Sequence, residues 1–505
     1  MPWWRYFLVL IIGLGLVACT HSKRDPQELV VALEEYPNQL DPRFARGAYN
    51  VKIAKLLFNG LLKYDQNLKL VPDLAEKYEF LSDQTLRITL KKGIHFHDGT
   101  ELKIDDVLFT FQSVLKARQN SPAYQDFSKI KSLEKIDDYT LVVQLKEPYA
   151  PFLTALILGI VPHLADQQSS FKDHPIGTGP FKFLQQQSER FILLEKNPDY
   201  FAGPAHLSRV RIRTIKDETT RVLELIKGNI DLIQNAVPPN WLPWLTKHYP
   251  FQVLHDKSIN YQYLGFNLRD PILSNVKVRW AIAYLLDIDN LIQFKLKGYA
   301  QPATGILSPI HWAYNQKLLG FHYDLEKANA LLDDAGFPDP PGEAPRFKLT
   351  YKTSTNASSV DMALAIKELF HRAHIEVEVK PYDWGIFYKD IRTGNFQLFS
   401  LLWVGVTDPD IFYQVFASNQ IPPHGSNRGF YANSQVDELA KLAQKTYDPD
   451  RRKSYYDPLQ EIVANELPYV SLWHPDNIVV LQKDLKGYYL TPNASFEGLV
   501  SVYRE

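Results

Sequence analysis

The sequence is poor in sulfur, with one cysteine, Cys19, and two methionines among 505 residues. A single thiol excludes intramolecular disulfides and metal clusters held by several cysteines. It also lacks an excess of charge of either sign: the chain has 56 Lys and Arg and 57 Asp and Glu, interspersed along its length, for a net charge of −1. Because nucleic-acid-binding proteins normally carry a basic patch, this balance indicates no nucleic-acid partner.

Long hydrophobic runs are missing except at the N-terminus. Residues 7–18, FLVLIIGLGLVA, follow Arg5 and are shorter than the roughly 20 apolar residues of a spanning helix. They predict a signal peptide over 1–18. The run ends in LVAC, which resembles a bacterial lipobox and predicts cleavage before Cys19 and lipidation of that residue. An ordinary secretory signal with a chance cysteine is the alternative. Residues 19–28 are then a polar, lipidated tether.

Catalytic signatures are also lacking. The sequence has no GxSxG, HExxH or P-loop pattern, and GTGP at 177–180 is not followed by the Lys and Ser or Thr of a phosphate-binding loop. Adjacent carboxylates such as Asp105 and Asp106 diverge on a helix, which suits a cap or a solvated face better than an acid–base pair. We therefore expect neither enzymatic activity nor a cofactor.

The stretch GIHFHDGTELKIDDV at 93–107 is the strongest candidate for a metal site. His95 and His97 share one face of a strand, but no further ligand follows them. Asp98-Gly99 is a typical hairpin turn. We expect Phe96 to point into the core, both histidines to point outward, no bound metal, and Asp105 or Asp106 to cap a helix. A zinc-dependent enzyme with a third ligand nearby is the competing hypothesis.

Strand-like and helix-like runs alternate along the chain. ELVVALEEYP at 28–37 predicts a first strand, and the run from 276, VKVRWAIAYLLDIDNLIQFKL, predicts one long apolar helix. The class is α/β or α+β with mixed sheets. At this length two or three domains are expected.

Aromatic residues make up 13% of the chain, and most are expected in cores. Trp403 differs because it stands where the apolar run LLW meets the polar loop VGVTDPD. With Asp408 beside it, it offers a stacking surface and a carboxylate to a ligand with an apolar body and a positive group. Together with Tyr49 and Trp384, these residues are our candidates for substrate binding.

The order of motifs resembles the family 5 bacterial extracellular solute-binding proteins, the peptide, oligopeptide and nickel receptors of ABC importers. The similar segments, each loose alone, follow in the expected order nearly from end to end of the chain: LDP with LLFNGLLKYD, LVPDLAEKYEF, FHDGTELKIDDVLFTF, IGTGPFKF, NPDYF, ELIKGNIDLI, VKVRWAIAYLLDID, LLDDAGF, TDPDIFYQVF and DELAKLAQKTYDPDRRKSYYDPLQEIVANELPYVSLWH.

The resemblance implies a two-lobed periplasmic-binding-protein-like fold (type II, cluster C) of the α/β class, with mixed sheets and an extra inserted domain. The implied limits are 29–47, 172–262 and 475–505 for lobe I, 48–171 for its inserted subdomain, and 263–474 for lobe II. It also implies a monomer that closes by hinge motion around a peptide or other small solute and then meets the permease subunits.

One position departs from the family pattern. Dipeptide receptors of the family carry an aspartate soon after this tryptophan for the α-ammonium of the peptide, whereas Val406 stands at that place here. Asp408 either substitutes for it or shapes the Asp-Pro turn. Without a buried carboxylate, recognition of an amine is weaker by several kcal/mol, so the expected ligands include solutes without a free ammonium.

The leading hypothesis is therefore an extracytoplasmic lipoprotein, anchored to the membrane, that delivers peptides or a related small solute to an ABC importer. A structural or signalling lipoprotein derived from the same family, and no longer engaged in transport, is the alternative. Thr20 after Cys19 favours the outer membrane if the cell has one.

Overall fold

The computed structural model of the chain describes residues 25–167, 171–342 and 344–505. The predicted signal peptide and Cys19 lie outside the described residues. Within those three ranges, no helix is both long and apolar enough to span a bilayer. The chain forms helices packed on several mixed sheets, in agreement with the predicted class.

A seven-stranded mixed sheet organises one lobe. Its central strand, Glu28–Leu33, is buried along its whole length and pairs in parallel with a strand on each side. Strands covered on both faces are continuous apolar runs, as this segment is. From edge to edge, the strands are Gln252–Asp256, Asn477–Leu481, Leu232–Gln234, Glu28–Leu33, Arg209–Thr214, Phe191–Lys196 and Phe181–Gln187.

A six-stranded mixed sheet organises the other lobe. Phe347–Ser354 pairs in parallel with the two strands that follow it, through the crossover helices Ala357–His371 and Trp384–Thr393 that parallel neighbours require. From edge to edge, the strands are Ala300–Pro302, Tyr469–Pro475, Tyr261–Phe266, Leu398–Trp403, Phe347–Ser354 and Ile375–Tyr382.

A smaller antiparallel sheet lies in sequence between the first two strands of the seven-stranded sheet. Alternate residues of its two central strands, Thr85–Leu90 and Thr140–Leu145, are buried in one core with the helix Ile104–Ala117, as period-two patterns require. Its strands, from edge to edge, are Ala75–Ser82, Thr85–Leu90, Thr140–Leu145 and Ile130–Asp137. Two short ribbons pair Leu62–Tyr64 with Leu70–Pro72 and Leu485–Lys486 with Tyr503–Arg504.

The remaining helices cover the sheets. The α-helices not yet named are Ala48–Leu57, Tyr124–Phe127, Phe152–Ala155, Glu218–Ile226, Leu242–His248, Val276–Leu285, Ile288–Lys295, Leu325–Asp334, Ile411–Phe416, Ser434–Gln444 and Pro449–Glu466. Single 3₁₀ turns occur at Arg118–Asn120, Ala165–Gln167, Pro239–Trp241, Ser418–Gln420 and Glu497–Ser501.

The single long helix predicted from residue 276 is wrong. The segment forms two helices, Val276–Leu285 and Ile288–Lys295. The break occurs at Asp287, whose carboxylate accepts the backbone N–H of Asn290 at 3.2 Å and so caps the second helix. The apolar periodicity continues through this junction, but an Asp side chain that bonds the backbone locally favours a new helix start.

Two segments connect the lobes. Residues 257–260 lead from the seven-stranded to the six-stranded sheet, and residues 475–477, the end of one strand and the start of the next, lead back. The crossings are bonded to each other: Asn260 Nδ2 donates to Asn477 Oδ1 at 3.2 Å, and Ser258 Oγ donates to the carbonyl of Pro475. Short paired connections of this kind are where hinge closure changes the backbone dihedrals. The residue limits of the lobes stay a prediction.

Candidate functional site

The carboxyl ends of parallel strands from the two large sheets face each other where the lobes meet, and we call the region between these two edges the cleft. Glu34 directly follows the strand Glu28–Leu33, and Glu218 begins the helix after its parallel neighbour. In the other lobe, Asn356 follows Phe347–Ser354 and donates from Nδ2 to Glu218 Oε1 at 2.6 Å. Ligands of open α/β sheets bind outside the carboxyl ends of the strands, so this cleft is the candidate binding site.

Trp403 is the last residue of a six-stranded-sheet strand and borders the cleft. Its ring covers the guanidinium of Arg428, with 4.7 Å from the ring centroid to Cζ. Its indole N–H is buried and has no acceptor in the described structure. The positive group next to this ring therefore belongs to the protein itself, where the sequence led us to expect that of a ligand.

Trp384 and Arg428 are joined through one tyrosine. Trp384 is 51% exposed in the first turn of its helix and stacks on Tyr388, with ring centroids 5.6 Å apart and planes at 13°. The Tyr388 hydroxyl oxygen accepts a hydrogen bond from Arg428 Nη2 at 3.2 Å. We call the four residues Trp384, Tyr388, Arg428 and Trp403 the arginine stack.

Asp408 lies in the loop after Trp403 but faces another cation. Its carboxylate accepts two hydrogen bonds from Arg452, at 3.0 and 3.2 Å, and the backbone N–H of Asp410 at 2.8 Å. Burial and the nearby Asp408 charge raise the pKa of Asp410 well above its ordinary value. Of the two roles left open by the sequence, the geometry of Asp408 matches the Asp-Pro turn; its carboxylate is already neutralised by Arg452.

Tyr49 lies in the opposite lobe, beside Glu34. Its hydroxyl donates to Glu34 Oε1 at 3.2 Å, and Arg221 Nη2 lies 3.8 Å from Glu34 Oε2. Burial raises the pKa of Glu34 above its ordinary value, against the opposing effect of Arg221. The structure thus brings Trp384 and Trp403 together in one lobe and places Tyr49 across the cleft.

Hydrogen bonds join the inserted sheet region to the six-stranded lobe as well. Gln125 Nε2 donates to the carbonyl of His424 at 2.8 Å, and the Ala150 N–H donates to the carbonyl of Gln444 at 2.7 Å. With the Asn356–Glu218 contact, these bonds join the two lobes on both sides of their sequence crossings.

The histidine stretch is a turn packed on a loop. Phe96 is 3% exposed, which confirms its predicted orientation, and Asp98 Oδ1 accepts the Thr100 N–H at 3.0 Å. His95 is exposed, as predicted, but the outward position predicted for His97 is wrong. Its Nε2–H donates to the carbonyl of Gly179 at 3.1 Å and its Nδ1 accepts from the N–H of Gly177 at 3.2 Å. Burial lowers the pKa of His97 to about 4.

The glycines of GTGP are needed for packing. A Cβ built on Gly177 would lie 2.0 Å from the carbonyl oxygen of Leu57, and one on Gly179 would lie 2.5 Å from that of Leu56. The loop therefore lies directly against the end of the helix Ala48–Leu57. This contact explains the glycines without a bound phosphate.

The predicted helix after this stretch is present, but its start differs. The carboxylate of Asp106 caps Ile104–Ala117, as one of the two predicted residues, although the N-cap position itself is Lys103. Asp106, three residues into the helix, accepts the backbone N–H of Lys103 at 2.8 Å and the N–H of His163 at 2.8 Å. Among the described residues, no group of three or more His, Cys, Asp or Glu side chains is placed to hold a metal ion.

Sequence reasoning missed Arg428 and Glu34. Arg428 stands in the loop segment GSNRGF, which has no periodicity, and its partner Tyr263 is 165 residues away in sequence. Glu34 could have been found, because a charged residue directly after a buried strand lies at the carboxyl edge where ligands bind.

Sequence comparison finds known proteins that are similar along nearly the whole chain. The sequence model described as "Bacterial extracellular solute-binding proteins, family 5 Middle" matches residues 69–422. The oligopeptide-binding protein AppA of Bacillus subtilis (strain 168) is 29% identical, over 96% of this chain and 95% of the relative. The glutathione-binding protein GsiB of Shigella dysenteriae is 28% identical, over 96% and 97%.

Solved structures agree with the sequence comparison. AppA from Bacillus subtilis in complex with a nonapeptide has a TM-score of 0.83 at 27% identity, covering 95% of this chain and 99% of that one. NikZ from Campylobacter jejuni in complex with Ni(L-His) has a TM-score of 0.85 at 27% identity, covering 95% and 100%. The predicted two-lobed, periplasmic-binding-protein-like fold is confirmed.

Proposed function

Since the chain belongs to the family 5 bacterial extracellular solute-binding proteins, we propose that it is a lipid-anchored receptor that encloses a peptide or related small solute and delivers it to an ABC importer. The family is one of solute-binding proteins, so the proposed function is recognition and transfer of a solute. The ligands in the structures of its relatives, a nonapeptide for AppA and Ni(L-His) for NikZ, define the range of solutes to be tested.

The observation that carries the proposal is the pair of facing carboxyl edges. Aromatic side chains border the edge of the six-stranded lobe, and Tyr49 with Glu34 borders the other. Aromatic walls with a few fixed polar groups are typical of small-molecule sites. We propose that Trp403, Trp384 and Tyr49 contact the ligand, and that Asp408, through Arg452, fixes the loop beside it.

Hinge closure is the proposed mechanism of capture. A ligand that contacts both lobes binds the closed state more tightly and shifts the population towards it. The hydrogen bonds from Asn356 and Ser358 to Glu218 stabilise that closed state. The permease would then recognise the surface that closure creates.

We propose that lipidation of Cys19 anchors the protein to the membrane, which is the outer membrane if the cell has one. The folded body is then a monomer on the extracytoplasmic side. Two or more acyl chains suffice for stable membrane attachment. Cys19→Ser should therefore move the protein from the membrane to the soluble fraction. An unchanged membrane fraction would contradict lipidation at this residue.

The decisive experiment identifies the ligand. We expect native mass spectrometry of the protein purified from its host to show a bound small molecule, released on denaturation, and peptides of that class to raise Tm. Small-angle scattering should show a more compact particle with ligand. A protein that carries no ligand, and whose Tm no peptide shifts, would support the structural or signalling alternative.

A matched pair of variants tests closure. Glu218→Ala removes the acceptor for Asn356 and should weaken ligand binding several-fold, because the closed state loses contacts that the open state never had. Glu326→Ala is the control, since Glu326 also lies in the first turn of a helix but is exposed. Equal ligand affinities of the two variants would contradict the closure mechanism.

A further inference from the structure

We propose that Arg428 is an anion-binding residue of the cleft, and that the ligand presents a carboxylate to the arginine stack. The inference rests on the proposed function and adds the polarity of the ligand to it. The end of the ligand next to Trp403 is then anionic, whereas the sequence alone suggested a positive group there.

Arg428 is buried, at 7% exposure, without a carboxylate partner among the described residues. Its Nη1 donates to the hydroxyl oxygen of Tyr263 at 3.1 Å and its Nη2 to that of Tyr388 at 3.2 Å. Phenol hydroxyls supply no negative charge at neutral pH. A buried charge normally has an opposite charge, because desolvation alone is costly.

The other buried arginines show what Arg428 lacks. Arg43 and Arg452 pair with Asp41 and Asp408, respectively. Arg279 donates to four backbone carbonyls, those of Leu273, Ser274, Glu466 and Leu467. Arg221 also donates to backbone carbonyls and lies near Glu34. Arg428 is the buried arginine of the described chain whose hydrogen bonds go to neither a carboxylate nor a backbone carbonyl.

A buried donor without an acceptor lies beside this guanidinium. The Trp403 indole N–H is buried without an acceptor, and its ring stands 4.7 Å from the Arg428 guanidinium carbon. Unpaired buried donors are rare in native proteins and call for an explanation. An acceptor-only group with several lone pairs, such as a carboxylate of the ligand, would supply an acceptor for this N–H and the opposite charge for Arg428.

The neighbouring side chains argue against a cation at the same place. Val406 is 5% exposed and apolar, and the Asp408 carboxylate is already bonded to Arg452. An ammonium beside Arg428 would therefore meet a like charge with no free carboxylate of this loop to offset it. A ligand carboxylate, by contrast, meets a guanidinium that aromatic rings shield from water.

The stack borders the cleft from the side of the six-stranded lobe, through two of its aromatic residues. Trp403 ends one strand at the carboxyl edge, and the half-exposed Trp384 begins the helix after another. The two residues hold Arg428 between them through Tyr388. A ligand that enters between the lobes therefore meets the stack first through its aromatic edges.

The test uses the refolded, ligand-free full-length protein and a peptide library in four forms: free ends, acetylated N-terminus, amidated C-terminus, and both ends blocked. Affinity is measured by calorimetry. We expect acetylated and free peptides to bind with similar Kd and amidation to weaken binding about 30-fold or more, as for a truncated buried charge pair. Arg428→Gln should remove this discrimination, whereas Arg428→Lys should keep part of it.

Arg269→Gln is the matched control. Arg269 also stacks on an aromatic ring, that of Phe430 at 3.8 Å, but it is exposed, so its removal should leave the discrimination unchanged. Wild-type binding that is indifferent to amidation and sensitive to acetylation overturns the inference while leaving the peptide receptor intact. If no form of any peptide binds the wild type, the proposed function fails and the inference fails with it. The wild-type comparison holds even if a variant does not fold.

Discussion

Acidification should destabilise the fold through His97. The imidazole is neutral in the folded protein because burial lowers its pKa to about 4, against an ordinary value of 6.5. A lowered pKa means that the unfolded chain binds the proton more readily. The stabilising contribution is therefore complete above pH 6.5 and is lost as the pH falls towards 4.

The magnitude follows from these two pKa values. Between about pH 7.5 and about pH 5, one such histidine lowers the free energy of unfolding by about 2 kcal/mol, and by about 3 kcal/mol once the pH is below both values. Other buried groups also titrate in this range, including His311 and His474. The effect of His97 must therefore be isolated by substitution.

Urea unfolding of the wild type and of His97→Asn, at both pH values, provides the measurement. The variant loses the bonds to Gly177 and Gly179 at either pH, but it no longer titrates. The stability difference between the two proteins should thus shrink by about 2 kcal/mol on acidification. His95→Asn, two residues away and exposed, should show a constant difference. A constant difference for His97→Asn as well would refute the reasoning.

Two further substitutions test single contacts by urea unfolding. Asp408→Asn should lower the free energy of unfolding by about 3 kcal/mol, because it leaves the Arg452 guanidinium, 8% exposed, without its carboxylate. A decrease below about 0.5 kcal/mol, typical of a surface ion pair, would contradict a stabilising role of Asp408. Gly177→Ala should lower the free energy of unfolding by about 3 kcal/mol, because the new Cβ would lie 2.0 Å from the carbonyl oxygen of Leu57 and the backbone there cannot easily move away. Gly385→Ala, with its nearest atom at 3.5 Å, is the control and should be nearly neutral; an equal effect of both would refute the packing explanation.

Much of the architecture follows from local patterns. The run ELVVAL is a strand buried on both faces because its side chains from Leu29 to Leu33 are all apolar. Phe96 lies in the core and Asp98-Gly99 turns the chain, because strand alternation and turn chemistry act over a few residues. The order of such motifs also predicted the family and the fold, and both predictions are confirmed.

Local patterns fail where the partner of a side chain is distant in sequence. The apolar run from residue 276 gave no sign of the break that Asp287 makes through its own side chain. His97 looked like an outward strand residue, but the loop that it bonds is 80 residues further along the chain. Periodicity gives the direction of a side chain relative to its strand and not the identity of what packs there.

The cleft shows the same division most clearly. The sequence by itself determined that Trp403 ends an apolar strand in a polar loop, because a change from apolar to polar residues is readable within one segment. Only the tertiary structure decided its electrostatics. Asp408 pairs with Arg452, which lies 44 residues further along the chain. Arg428 contacts Tyr263 and Trp403 from a loop whose sequence has no periodicity. The sign of the charge beside a binding surface depends on such long-range pairings, which residue type and spacing do not encode.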